Sequence, residues 1–146
     1  MIMVDDIRFM REALLEAHQA FKEEEVPVGA IMVYQGEIIA RTHNLTQTLT
    51  NVTAHAEMLA VTAASQFLGI KYLMDCTLYV TVEPCPMCAG ALGWAQLGRL
   101  VYATGDEKRG YRNFAPNALH KKTVVDMGVL QEEASLLMRQ FFKIRR

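Results

Sequence analysis

Apolar residues at Ile7, Met10, Leu14, Ala17 and Phe21 recur at helical spacing until the acidic run KEEE and Pro27 break the pattern. The chain is therefore expected to open with an amphipathic helix. The segment VGAIMVYQGEIIARTH (28–43) sets two apolar runs on either side of Gln35-Gly36, the pattern of a β-hairpin. NLTQTLTNVT (44–53) is polar and rich in Thr and Asn, which reads as a loop. The helical pattern returns from His55 to about Phe67. TLYVTVE (77–83) has the β-branched character of a buried strand. A helix is expected from Pro86 to about Gln96, because proline at a first helical position gives up an N–H that has no partner there. RLVYATG (99–105) is a further strand, 106–122 a long basic loop, and TVVDMGVL (123–130) holds a short strand. Leu130, Ala134, Leu137, Met138 and Phe141 mark a last amphipathic helix.

This order, α-β-β-α-β-α-β-β-α, predicts an α/β protein with a mixed sheet and helices on both faces. A right-handed β-α-β crossover would set strands 77–83 and 99–104 parallel. No repeat, low-complexity stretch or linker interrupts the pattern, and 146 residues suit one domain over 1–146.

Composition narrows the class. Hydrophobic residues make up 51% and charged residues 21% of the chain, as in a globular protein rather than a disordered one. No apolar run reaches membrane-spanning length, and the N-terminus carries early acids without a signal-peptide core, so the expected compartment is the cytoplasm with no membrane partner. Three cysteines argue against a disulfide framework. The net charge of −1 hides an asymmetry: residues 1–98 carry 5 basic and 11 acidic residues, a net of −6, whereas 99–146 carry 10 and 5, a net of +5. A surface facing a polyanion and two differently biased solvated faces both fit this split.

The chemistry centres on TVEPCPMCAGA (81–91). Cys85 and Cys88 lie where a strand passes into a helix, and backbone N–H groups with the helix dipole favour thiolate there. A C-x2-C pair binds zinc well but needs further ligands, and alone it fits redox use equally. His55 in TAHAEMLA (53–60) begins the other central helix and would complete a set of three. Cys76, on the approach to the strand, suits a small buried residue better than a fourth ligand. Three protein ligands leave a coordination position open, as catalysis requires. Glu57 is two residues from His55, and helical residues two apart point nearly opposite ways. Both can face one ion only if His55 occupies an irregular first turn, which Thr53 as a cap would allow. A carboxylate beside a metal-activated water can accept and return its proton. Taken singly, His55 could be a core or surface histidine and Glu57 a solvated first-turn acid.

Together, H-x-E followed by P-C-x-x-C resembles the zinc-dependent nucleoside and nucleobase deaminases of the cytidine/deoxycytidylate deaminase-like superfamily. The resemblance is nearest to the bacterial tRNA-specific adenosine deaminases. It runs through EVPVGA (25–30), HN (43–44), TAHAE (53–57), TLYVTVEPCPMCAGA (77–91), GDEKRG (105–110) and FFKIRR (141–146). It implies a three-layer α/β/α fold around a mixed sheet of about five strands, a homodimer, one Zn2+ per chain on His55, Cys85 and Cys88, and Glu57 as proton shuttle. It further implies base contacts from Asn44 and the Ala56 backbone, and places Asp106 and Lys108 beside a tRNA anticodon stem-loop. The implied reaction is hydrolytic conversion of adenosine to inosine at the wobble position. One segment departs from the family pattern: YRNFAPNALHKK (111–122) is bulkier, more aromatic and more basic than the small-residue run expected there. EPCPMC followed by Trp94 is also similar to guanine deaminases, so a deaminase of free guanine, cytosine or a nucleoside is the alternative. A silent zinc-binding RNA module and a thiol redox protein are the readings from other classes.

Cations cluster late in the chain, at Lys108, Arg109, Arg112, Lys121 and Lys122, and again at Lys143, Arg145 and Arg146. Tyr111 and Phe114 interleave with the first group. Cations for phosphates and aromatic faces for splayed bases are what single-stranded RNA uses. Tyr111 and Phe114 could equally pack the loop on the core, and the last two arginines could serve the helix dipole.

Overall fold

The computed structural model describes residues 2–145. Helix α1 (Val4–Lys22) leads into the hairpin β1 (Gly29–Tyr34) and β2 (Glu37–His43). Next come α2 (Ala56–Leu68), β3 (Cys76–Val82), α3 (Pro86–Trp94) and β4 (Arg99–Thr104). A helical turn α4 (Tyr111–Phe114), β5 (Val124–Met127) and α5 (Gln131–Ile144) complete the order. Every expected element forms, with one addition. The segment read as a long loop contains α4, because Tyr111 buries its ring in the core and its N–H donates to Pro84 O at 2.9 Å. Phe114 stays exposed. In the hairpin, Tyr34 pairs with Glu37, and Gln35 and Gly36 have φ of 51° and 79°. That is a two-residue turn whose handedness matches the twist of the strands.

The five strands lie in the order β2-β1-β3-β4-β5. β1 is antiparallel to both neighbours, and β3, β4 and β5 are parallel. Strand side chains alternate between two faces. Ile31, Val33, Tyr79, Val101 and Ala103 pack against Phe9, Met10 and Ala13 of α1 and Ala134 of α5. Ala30, Met32, Leu78, Val80, Leu100 and Tyr102 pack against Ala60 and Ala64 of α2 and Ala89 and Leu92 of α3. The result is the three-layer α/β/α arrangement. α1 rests on β1 at backbone distance: a Cβ on Gly29 would stand 2.0 Å from Ala13 O, which accounts for the glycine.

A buried ionic clamp fixes the N-terminal helix to the sheet. Asp6, fully buried, accepts from both terminal nitrogens of Arg99 at 2.8 Å each, from the Tyr79 hydroxyl at 2.6 Å and from the Met3 N–H at 2.7 Å. Arg99 also binds Asp126 of β5 at 2.9 Å. Burial pushes the Asp6 carboxyl up, but the bonds from Arg99, Met3 and Tyr79 outweigh it and hold it down at about 2. The folded value lies below the ordinary 3.8, so the clamp stabilises fully above that value and is lost as pH falls towards 2. Asp6→Asn is expected to cost roughly 3 kcal/mol at neutral pH, by leaving Arg99 short of a buried anion. It should also flatten the acid limb of stability, measured by chemical denaturation across that range.

Candidate active site

The loops leaving β2, β3 and β4 and the starts of α2 and α3 meet at one end of the sheet. Parallel strands open a crevice of this kind beyond their carboxyl ends. His55 is the residue immediately before α2, with extended backbone (φ −73°, ψ 152°), and Cys85 has the same role before α3 (φ −74°, ψ 169°). Pro86 begins α3, and Cys88 lies one turn in. Both helices therefore present their first N–H groups to the same point. Because His55 precedes the helix and Glu57 lies within it, their side chains converge rather than diverge. Thr53 does not cap α2, contrary to expectation. Its N–H and hydroxyl both donate to Asn51 Oδ1 at 2.9 and 2.8 Å, a local turn that ends two residues before the helix.

His55 Nδ1 lies 3.7 Å from Cys85 Sγ and 3.5 Å from Cys88 Sγ. The three donor atoms all fall within 4.8 Å of one another, a set that can hold one metal ion. Cys76 is buried at the far end of β3, away from this cluster. The Cys88 thiol donates to the Cys85 sulfur, which holds Cys85 down at about 4 with help from His55 and the Cys88 N–H. The same bond and burial push the Cys88 thiol up. Hydrogen bonding to Cys85 raises His55. Glu57 is 4% exposed, and burial pushes its carboxyl up to about 7, a value suited to exchanging protons near neutral pH. Asn44 Oδ1 accepts the Ala56 N–H at 3.2 Å, so its amide NH2 is turned outward as a donor. The Ala56 carbonyl accepts the Thr42 hydroxyl at 2.7 Å. Ala56 itself is fully buried and lies behind Asn44.

These groups line a cavity of about 1010 Å³, at the upper end of the ~300–1,000 Å³ usual for small-molecule sites. Asn44, His55, Glu57 and Cys85 share it with Asp106, Lys108 and Arg109 from the loop after β4, and with Met138, Arg139, Phe142 and Lys143 from α5. Among the described residues, none of 111–122 lines it. That unusual segment runs beside α3 instead: a Cβ on Gly93 would stand 2.1 Å from Ala118 O.

The MafB19-like deaminase family model matches residues 4–146. The tRNA-specific adenosine deaminase of Bacillus subtilis (strain 168) is 44% identical over 147 residues, covering 97% of this chain and 91% of that protein. The chain belongs to this deaminase family. A solved structure of a tRNA:A34 deaminase, from work on A-to-I editing at the wobble position, is 39% identical with a TM-score of 0.83, covering 89% of this chain and 98% of that one. The guanine deaminase of Bacillus subtilis is also 39% identical, with a TM-score of 0.64, but over 67% of this chain and 63% of that one.

Among the described residues, Arg112, Lys121, Lys122 and Arg145 lie off the deaminase cavity. Arg112 sits behind the loop, with its guanidinium 3.6 Å from Glu83 and over the Tyr102 ring at 5.7 Å. Arg145 binds the Glu24 carbonyl at 3.3 Å and stacks on Phe141 at 4.9 Å. Arg146 lies outside the described residues. Three further residues shape the cavity or its walls. Arg139 is one helical turn from Lys143, a spacing that could have marked it. Glu25 is fully buried and accepts the Gln47 and Thr48 N–H groups at 3.1 and 2.7 Å, anchoring the loop after Asn44. Burial would push its carboxyl up, but these bonds hold it below its usual range. Glu83, an acid ending an apolar strand, is the third. Replacing His55 or Cys88 with alanine is expected to lower metal affinity more than the 10–100-fold typical of outer-shell changes, read as metal retained after dialysis against a chelator.

Proposed function

We propose that this deaminase converts adenosine to inosine at the wobble position of a tRNA anticodon loop, with one zinc ion on His55, Cys85 and Cys88. The donor set fits zinc. Tetrahedral bonds of about 2.3 Å to sulfur and about 2.0 Å to nitrogen place a sulfur and the nitrogen roughly 3.5 Å apart, against the 3.7 and 3.5 Å found here. Zinc, when bound, supplies Lewis acidity that makes water nucleophilic near neutral pH.

The chain's own residues do the rest. Glu57 takes a proton from the attacking water as oxygen adds to C6 of adenine, and delivers it to ring N1. It then carries the second water proton to the departing amine, which leaves as ammonia while C6 becomes a carbonyl. Asn44, oriented by the Ala56 N–H, offers its amide to the base. Lys108, Arg109, Arg139 and Lys143 ring the cavity and suit the phosphates of a splayed single strand. That cationic rim around a buried carboxylate carries the reading, since a free base brings no phosphate for it to meet. Arg112 and Arg145 support the neighbouring walls. We take the protein to be a single cytoplasmic domain; among the described residues, no helix is long and apolar enough to cross a membrane. We further propose a homodimer, as the family implies, with exposed Trp94 of α3 covered by the second copy.

Ammonia release should occur with an anticodon stem-loop bearing adenosine at the wobble position, and not with free guanine, cytosine, cytidine or adenosine. Turnover of guanine alone would replace the tRNA reading with a free-base one and leave the metal chemistry intact. Glu57→Gln is expected to keep zinc and bind the stem-loop normally while kcat falls by about 10²–10⁴, measured in single-turnover assays.

A further inference from the structure

Glu83 is a buried acid lining the cavity, and the reaction leaves it unused. It follows β3 and precedes Cys85 by two residues, and its side chain is 2% exposed. Oε1 accepts the Asp106 N–H at 3.0 Å, and Oε2 accepts the Arg112 N–H at 3.0 Å. One carboxylate thus holds both ends of the segment 106–112. Between those ends the segment folds on itself. Asp106 Oδ1 accepts the N–H groups of Lys108 and Arg109 at 3.1 Å each, and the Gly110 N–H donates to Asp106 O at 2.7 Å. Gly110 lies directly on the acid: a Cβ there would stand 2.3 Å from Glu83 Cδ and Oε2. Its φ is −67°, a value open to any residue, so contact rather than backbone conformation requires the glycine.

We propose that Glu83 is the positioning residue of the substrate loop. Its carboxylate fixes where Asp106, Lys108 and Arg109 stand at the cavity, and so governs substrate binding rather than the chemical step. An ionised carboxylate can accept from both ends at once, whereas an amide must turn its NH2 towards one of the two N–H donors. The strand end that carries Glu83 continues into Cys85, so loop and metal ligand share one frame. This role rests on the reading that the cavity receives RNA.

The test compares Glu83→Gln and Gly110→Ala with the wild-type, zinc-loaded protein. The first removes an acceptor and the second drives a methyl group against it, so they reach the loop by independent routes. Amide hydrogen exchange is read first, without substrate. The Asp106 and Arg112 amides are expected to exchange at least about tenfold faster in both variants, with zinc content and melting retained. On the stem-loop, KM should rise about tenfold while kcat stays within about twofold. Unchanged exchange overturns the proposal, as does faster exchange with unchanged KM. A fall in kcat at constant KM, zinc loss from both variants or unfolding of both also overturns it, because Glu83 would then serve chemistry, metal or fold. If the wild type ignores the stem-loop and deaminates a free base, the RNA reading fails. Exchange, together with KM for that base, then decides the role of Glu83 separately.

Discussion

The site exists because two helices begin at the same point. A helix interior spaces side chains around a cylinder, so residues two apart cannot share a target. The residue just before the helix escapes that rule, since its backbone is still extended. His55 and Cys85 both occupy such positions, and this lets a histidine, two thiols and a carboxylate meet from only two short segments. The same arrangement points the N-terminal ends of two helices at the cysteine sulfurs, where the positive ends of the helix dipoles offset negative charge. The sheet enforces the meeting. β3 feeds α3 directly, and the segment 44–55 carries the chain from the end of β2 to the start of α2.

The rest of the cavity lining follows from that placement. β2 and β4 finish at the same end of the sheet, so Asn44 and Asp106 arrive beside His55 and Cys85 on the segments after them. Neither segment has regular structure to hold it. Each is instead pegged by a buried glutamate, Glu25 on one side and Glu83 on the other. The pegs explain how long polar stretches keep a defined shape at the mouth of a cavity, where packing alone supplies little.

Much of this was legible in the residues. Apolar spacing gave the helices and strands because each helix buries one face and each strand lies in a covered sheet. Gln35-Gly36 gave the hairpin through its turn geometry. That His55, Cys85 and Cys88 would cluster was legible because a metal site demands particular donors at particular spacings, and Glu57, two residues from His55, lines the same cavity. What stayed hidden depends on folding at a distance. The pegging role of Glu83 appears only once the chain returns past it 23 residues later. Tyr111 and Phe114 looked equivalent in the sequence, yet one is core and the other faces water. Thr53 had the right chemistry for a cap and spent it on Asn51. Arg112 had the right charge for RNA and lies against Glu83 and Tyr102, behind the loop rather than in the cavity.

The clamp between Asp6 and Arg99 spans 93 positions of chain. Synthesis runs from the N-terminus, so Asp6 emerges long before either Arg99 or the β5 strand that helps hold it. Until then α1 lacks its buried clamp and is tied to the hairpin only by its apolar face and by the half-exposed pairs of Glu12 with Arg41 and Glu16 with His43, while the acid that will be fully buried stays in water. The hairpin can form early from local contacts, but locking the first helix waits for the fourth strand. Closure across such separations is slow relative to local folding. The place where the chain begins is therefore the place whose deepest fastening depends on its later half, and a nascent chain that stops short of β4 lacks the buried clamp on its first helix.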